Sequence, residues 1–128
     1  MDTHASRQPL GTDAERTGLM MVEISNAMVR LYKELFGRGP TRARTNYAGP
    51  DLIVSTLESS LTRIELHMAA AGEHERLRDL RMHFQYLHQA DFVNTAERIT
   101  GRKVRAFVSG MDTKNDVATE LFYLEPRS

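Results

Sequence analysis

Hydrophobic positions recur with a helical period near the start of the chain. Between Asp13 and Phe36, apolar side chains follow one another at steps of three and four residues, as one face of an α-helix requires. These residues are Met20, Ile24, Ala27, Met28, Leu31 and Leu35. Gly37 favours the left-handed conformation that ends a helix, and Pro40 lacks an amide donor. The pattern therefore predicts a helix over 13–36, with Thr12 and Glu15 as a capping box.

The period changes to two after Pro40. Residues 41–47 alternate between small or apolar and polar side chains, and residues 52–57 are rich in branched side chains. The turn-forming run 48–51 separates them, so the two segments predict a β-hairpin. Ser60 or Thr62 is then expected to cap a short helix that ends near Gly72.

A second helix and hairpin are predicted in the rest of the chain. We expect a long helix from about Glu73 to Ile99, with a small phase shift between two apolar stripes. The stripes consist of Leu77, Leu80, Phe84 and Leu87, and of Phe92, Ala96 and Ile99. Strands are predicted at 103–111 and 117–124, joined by a turn at 112–116.

These elements predict an α+β fold made of two helix-hairpin units. We expect a four-stranded antiparallel sheet with the helices packed on one face. Residues 1–12 are expected to form a flexible tail and residues 13–128 a single domain. Both faces of the predicted sheet carry apolar residues, which predicts a surface that needs a covering partner. One face has Ile53, Leu57, Phe107 and Phe122, and the other has Leu52, Val54, Val108 and Leu121.

Composition narrows the classes of function. The chain has 128 residues, with 17 basic and 17 acidic side chains, so no net charge attracts it to nucleic acid, which we do not expect as a partner. It has no cysteine, which excludes disulfides and thiolate chemistry and fits a cytoplasmic location. No segment has the roughly 20 apolar residues that span a bilayer, and the polar start does not resemble a signal peptide. We therefore expect no direct membrane insertion.

The sequence offers no constellation of catalytic or metal-binding residues. The histidines at 4, 67, 74, 83 and 88 do not form a His-x-x-x-His pair, and Asp112 and Asp116 lack the spacing of a calcium loop. The serines have no evident histidine and acid partners. We predict no metal site, no cofactor and no enzymatic activity.

Basic residues cluster where both predicted helices pass into strands. Arg38, Arg42 and Arg102 are candidate anion ligands if those two joins lie close together; the alternative is that they are solvated or paired with acids. A further group of arginines on the long helix is expected to form a salt-bridged surface with neighbouring acids. These are Arg76, Arg78 and Arg81, with Glu73, Glu75 and Asp79.

Several short blocks identify a family resemblance over about residues 18–125. They are Glu23–Ser25, Val29–Glu34, Gly37–Arg44, Leu61–Glu65, Arg76–Asp79 and Ile99–Val104. On these blocks the chain resembles the MpsC-like family of small bacterial proteins. The resemblance implies association with a sodium-translocating system that generates membrane potential. It brings no catalytic residues with it.

Two functional hypotheses follow. The first is a non-enzymatic interaction or accessory protein that forms a homodimer and serves a partner, such as a membrane transport protein. The alternative is a regulatory sensor that binds a small anion through Arg38, Arg42 and Arg102.

Overall fold

A computed structural model describes residues 11–127. The helices are α1 (Asp13–Phe36), α2 (Arg63–Ala70), α3 (His74–Leu87) and α4 (Gln89–Thr100). The strands are β1 (Arg42–Tyr47), β2 (Leu52–Glu58), β3 (Val104–Asp112) and β4 (Val117–Leu124). Most of the predicted flexible tail, residues 1–10, lies outside the described residues.

Helix α1 has the bounds that its periodicity predicts. The Thr12 side chain accepts a hydrogen bond from the amide of Glu15, and the Glu15 carboxylate accepts one from the amide of Thr12, which completes the capping box. Gly37 ends the helix in the left-handed conformation at φ 82°, and its amide donates to the carbonyl of Lys33. The face toward the sheet carries Met21, Ile24, Met28 and Tyr32, all buried.

The two hairpins form one four-stranded antiparallel sheet in the order β1-β2-β4-β3. The hairpins therefore meet through β2 and β4, and β1 and β3 are the edge strands. Strand β2 alternates strictly between buried and half-buried residues, as expected when only one face of a sheet is covered. Helices α1, α3 and α4 contact the sheet, so the predicted α+β architecture is confirmed.

The short helix α2 begins at the second of the two predicted caps. Thr62 and Glu65 form a capping box in which the Glu65 amide donates to the Thr62 hydroxyl at 3.3 Å, and the Thr62 amide donates to the Glu65 carboxylate at 2.8 Å. Ser60 is buried instead and contacts a residue of α3.

The predicted long helix is two helices. His88, with φ −104° and ψ 23°, leaves the helical conformation and separates α3 from α4. The change of direction allows Phe92 and Ala96 of α4 to face the core, as predicted for the second stripe. The predicted phase shift is thus a break in the helix.

The predicted inward stripe of α3 is wrong. Only Leu77 of that stripe is buried, whereas Leu80, Phe84 and Leu87 are 41%, 38% and 62% exposed. The side chains that face the core with Leu77 are Arg81 and Gln85, both fully buried. Arg81 therefore does not belong to the predicted salt-bridged surface. Arg81 and Gln85 can face the core because they find hydrogen-bond partners there, such as Glu65 and Ser109.

Aromatic rings fill the space between the helices and the sheet. Phe107 of β3 stacks on Phe92 of α4 with ring centroids 5.8 Å apart, and it meets Phe122 of β4 at 5.4 Å. Tyr32 of α1 packs edge-on against Phe92 at 5.9 Å. These contacts bring residues from both helix-hairpin units into a single core.

Candidate functional site

A row of polar side chains crosses the covered face of the sheet. Thr45, Ser55, Glu120 and Ser109 are directly opposed from strand to strand in the order β1-β2-β4-β3. All four are buried, Ser55 and Glu120 completely. Polar groups in a core are retained only where hydrogen bonds compensate for their lost hydration. We refer to Thr45, Ser55, Glu120 and Ser109 as the polar row.

Glu120 lies at the centre of this network. The hydroxyl of Tyr32 donates to Oε2 of Glu120 in a short contact, and Nε2 of Gln85 lies 3.4 Å from the same oxygen. Burial raises the pKa of Glu120 to about 7, and the nearby hydroxyls of Ser109 and Tyr32 offset only part of that rise. Burial, together with the neighbouring Glu120 carboxyl, also raises the pKa of Tyr32 well above its usual value.

Two buried oxygens at this site have no hydrogen-bond partner within residues 11–127. They are Oε1 of Glu120 itself and Oε1 of the neighbouring Gln85. An unpaired buried acceptor is costly when the carboxyl is charged. A neutral, protonated Glu120 reduces that cost, which agrees with the direction of its pKa.

Hydroxyl groups connect the polar row to the helices near both edges of the sheet. On the β1 side, Oγ1 of Thr45 lies 2.9 Å from Oγ of Ser55 and 2.8 Å from Oγ of Ser25 in α1. On the β3 side, Gln85 donates to Oγ of Ser109 at 2.5 Å. The Ser109 amide also donates to the Tyr86 hydroxyl at 2.9 Å, so the row is tied to both α1 and α3.

Arg81 forms a separate buried ion pair. Its Nε and Nη2 atoms each donate at 2.7 Å to different oxygens of Glu65, and Nη2 also donates to the carbonyl of Ser60 at 2.7 Å. The guanidinium carbon lies 3.7 Å from the ring centroid of Phe36. Burial alone would raise the pKa of Glu65, but the hydrogen bonds and charge of Arg81 and the bonds from Thr62 outweigh it and lower that pKa.

The arrangement of these buried groups is suited to holding the fold. Glu120, Arg81 and Gln85 have no exposed surface, and Glu65 is 7% exposed, so a substrate in solution does not reach them. Sequence reasoning missed this network. The sequence did contain one signal for it. Because side chains alternate between the two faces of a strand, Glu120 shares the inward face of β4 with Ala118 and Phe122, where a charge does not reach water.

The three predicted anion ligands do not share one pocket. Arg42 begins β1 opposite Glu58, whereas Arg102 donates to the carbonyl of Pro50 and to Asp51, each at 2.6 Å, at the turn of the same hairpin. The length of β1 separates those two positions by roughly 20 Å. Arg38 donates to the carbonyl of Leu61 at 2.6 Å. Anion binding at any one of these arginines stays a prediction, and a thermal-shift screen with phosphates and carboxylates tests it.

The other predicted chemistry residues have local partners. His74 contacts the Thr113 hydroxyl at 2.8 Å and His88 contacts Asp91 at 3.2 Å. Asp112 accepts hydrogen bonds from the amides of Lys114 and Asn115 and forms the predicted turn. In the part of the chain that the structure describes, no three acidic or histidine side chains lie close enough to hold a metal ion.

The uncovered face of the sheet is the second candidate site. Val54, Leu121 and Val108 oppose one another in one row of this face, and Leu52, Tyr123 and Ala106 are opposed in the next. Val108 is 43% exposed. We call these six residues the open face. Ala106 is also exposed and the other four residues are half-buried, while the guanidinium carbon of Arg105 lies 5.6 Å from the ring centroid of Tyr123. The open face therefore presents apolar surface to a partner, with one charged group beside it.

Comparison with known proteins gives one result. The family model described as the Na+-translocating membrane potential-generating system (MpsC) matches residues 16–126. The search of curated proteins finds no match, and neither does the search of solved structures. None of the helices between residues 11 and 127 combines the length and the apolar character needed to cross a bilayer. Because the family model spans nearly the whole chain, the protein belongs to the MpsC family.

Proposed function

We propose that this protein is a non-enzymatic interaction protein that forms a homodimer through its open face. We further propose that the dimer acts in the cytoplasm as an accessory component of a membrane-potential generating system. The family description supports the second part, and the apolar open face supports the first. The buried position of Glu120, Arg81 and Glu65 favours a structural role for the ionisable groups over a catalytic one.

The observation that carries the proposal is the continuity of the open face. Its six residues occupy two adjacent rows across β2, β4 and β3, so they form a patch rather than scattered contacts. A patch of this kind on a small domain is typical of an interface. Sheet-on-sheet packing of two such faces covers both at once.

Charged residues lie on the same side of the sheet as the open face, at the opposite end of the strands. Their placement favours a second copy of this chain as the partner that covers the open face. Arg42 on edge strand β1 and Asp112 on edge strand β3 lie in one cross-strand row, with Glu58 and Val117 between them. A two-fold axis parallel to the strands sets each Arg42 opposite Asp112 of the second copy. The same axis lays the apolar rows on their own equivalents, which gives a self-complementary contact.

Sedimentation velocity at micromolar concentration tests the dimer. We expect the natural protein to sediment as a dimer and Val108→Asp to sediment as a monomer, because a carboxylate on the open face opposes its burial. Ile64→Asp is the matched control, since Ile64 is 73% exposed on α2, away from the sheet. A natural protein that is monomeric, or a Val108→Asp variant that stays dimeric, contradicts the proposal.

Affinity capture from membranes of the native host tests the accessory role. We expect the tagged protein to retain an integral membrane transport protein, and the Ile64→Asp control to retain it as well. Recovery of soluble proteins alone contradicts a role in a membrane system. The dimer is tested separately by sedimentation, so the two parts of the proposal stand or fall independently.

A further inference from the structure

A groove runs between the first half of α1 and edge strand β1. Its volume is about 580 Å³, which is the size of many ligand sites. Gly18, Met21 and Val22 line it from the helix, and residues 43–47 line it from the strand. Val22 is 58% exposed, so the groove offers apolar surface to an incoming segment.

The strand side of the groove presents unpaired main-chain groups. The Ala48 amide donates to the carbonyl of Leu52 at 2.8 Å, which fixes the alternation of the β1-β2 ladder. Arg42, Arg44 and Asn46 consequently direct their main-chain groups toward β2. Ala43, Thr45 and Tyr47 direct theirs toward the outer edge.

This edge is open throughout the described part of the chain. Strand β1 is terminal in the sheet order, and no residue from 11 to 127 hydrogen-bonds to the main chain of Ala43, Thr45 or Tyr47 on that side. The edge also carries no proline and no bulge within its register. An edge of this kind is a template for another strand.

We propose that the β1 edge binds an extended, acidic segment of a partner protein by strand addition, beyond the proposed dimerisation through the open face. The main chain of the added segment pairs with Ala43, Thr45 and Tyr47. Its side chains alternate between the two faces of the sheet. Those on the groove side contact Met21 and Val22 and are therefore apolar.

Charge determines which side chains are expected on the outward face of the added segment. Its outward side chains lie beside Arg44, which is exposed on the uncovered side of β1 and is not part of the proposed contact between Arg42 and Asp112 of the second copy. Opposite charges in neighbouring strands stabilise a sheet, and like charges oppose pairing. The partner segment is thus expected to alternate acidic residues with small apolar residues.

Gly18 keeps the groove open and provides a way to close it. A Cβ atom added at Gly18 meets no atom within 4 Å, and the residue lies inside α1. Leucine is a better helix former than glycine, so Gly18→Leu is expected to fold while its side chain enters the groove. Arg30→Leu is the matched control because Arg30 is an exposed α1 residue that does not line the groove.

Amide hydrogen exchange followed by NMR tests the proposal. The probe is a capped peptide that alternates glutamate and valine, and the control peptides have lysine for glutamate or a central proline. In the free protein, we expect the amides of Ala43, Thr45 and Tyr47 to exchange much faster than those of Arg44 and Asn46. The acidic peptide should slow the first group by roughly tenfold or more, and both control peptides should not.

The variants decide whether the groove is the site. Gly18→Leu should weaken binding of the acidic peptide by roughly tenfold or more, whereas Arg30→Leu should bind it like the natural protein. Unchanged binding by Gly18→Leu, or no protection at millimolar peptide, overturns the proposal. Protection of Ala43, Thr45 and Tyr47 that is present without peptide also overturns it, because the edge is then already covered. Val108→Asp should bind the peptide normally, which separates this site from the open face.

Discussion

Arg81 and Glu65 form a buried ion pair in which two nitrogen atoms of one side chain donate to the two oxygens of the other, each at 2.7 Å. Arg81 has no exposed surface and Glu65 is 7% exposed. The pair joins α3 to the first turn of α2, and the additional bond from Arg81 to the Ser60 carbonyl joins both to the connection that follows β2. A fully buried guanidinium is tolerated in the core only when its partners are placed to accept its hydrogen bonds and balance its charge.

Removal of one partner of this ion pair should be strongly destabilising. We expect Arg81→Met to lower the free energy of unfolding by about 3 to 5 kcal/mol, because Glu65 is left buried without its counter-charge. Urea denaturation measures the change. The double variant Arg81→Met with Glu65→Gln should lose less than the sum of the two single variants, as expected for directly coupled residues. Strictly additive losses would show that the pair is not coupled.

Glu120 should make the folded protein less stable as the pH rises. The folded protein binds this proton more tightly than the unfolded chain does, because burial raises the pKa from the usual 4.5 to about 7. The contribution is therefore complete below pH 4.5 and is lost as the pH rises through 7. Over that window it amounts to about 3 kcal/mol, at 1.36 kcal/mol for each pKa unit.

Comparison with Glu120→Gln isolates this effect from other titrating groups. The neutral amide has the same shape and does not titrate, so the variant should gain stability relative to the natural protein as the pH rises from 4.5 to about 7. Arg81 and Tyr32 are the ionisable side chains that act on Glu120, and both remain in the variant. Parallel stability curves for the two proteins across this range would contradict a buried acid that titrates near neutral pH.

Two phenylalanines test the orientation of α3 and α4. Phe92→Ala should cost about 3 to 5 kcal/mol, because this ring is 1% exposed and stacks on Phe107. Phe84→Ala should cost well under half of that, since Phe84 is 38% exposed on the outer side of α3. Thermal denaturation of both variants gives the comparison. Equal losses would place Phe84 in the core, as the periodicity of the sequence predicted.

Asp116 should stabilise the junction between β2 and α2. Its carboxylate accepts hydrogen bonds from the amides of Ser60, at 2.9 Å, and Leu61, and its carbonyl accepts one from the Ser59 amide at 2.9 Å. We expect Asp116→Ala to lower the free energy of unfolding by about 1 to 3 kcal/mol, because two amides lose their acceptor. Asp112→Ala, in the exposed part of the same turn, is the control and should cost less. A larger loss at Asp112 would contradict this role.

The local pattern of the sequence predicts most of the elements correctly. Thr12 and Thr62 each have a glutamate three positions later, and both form the capping boxes that this spacing favours. Gly37 and Gly101 end their helices in the left-handed conformation for the same local reason. These features depend on residues within one turn of each other, so the sequence contains all the information that they need.

The candidate sites were predicted less completely. The apolar residues of the open face, such as Val54 and Leu121, were identified from strand alternation, which depends only on period two. Whether Arg38, Arg42 and Arg102 lie together was not predictable, because it depends on which ends of the hairpins are close in space. The sheet order places Arg102 at the turn of the first hairpin and Arg42 at its opposite end.

The sequence alone determined most ends of the helices and strands, although not the break at His88, because capping, turn formation and hydrophobic period act over a few residues. Only the tertiary structure decided which side of α3 faces the core. Arg81 finds Glu65 16 positions away, and Gln85 reaches Glu120 35 positions away. A polar side chain is buried when its partners are in place, and those partners are assembled by the packing of the whole domain.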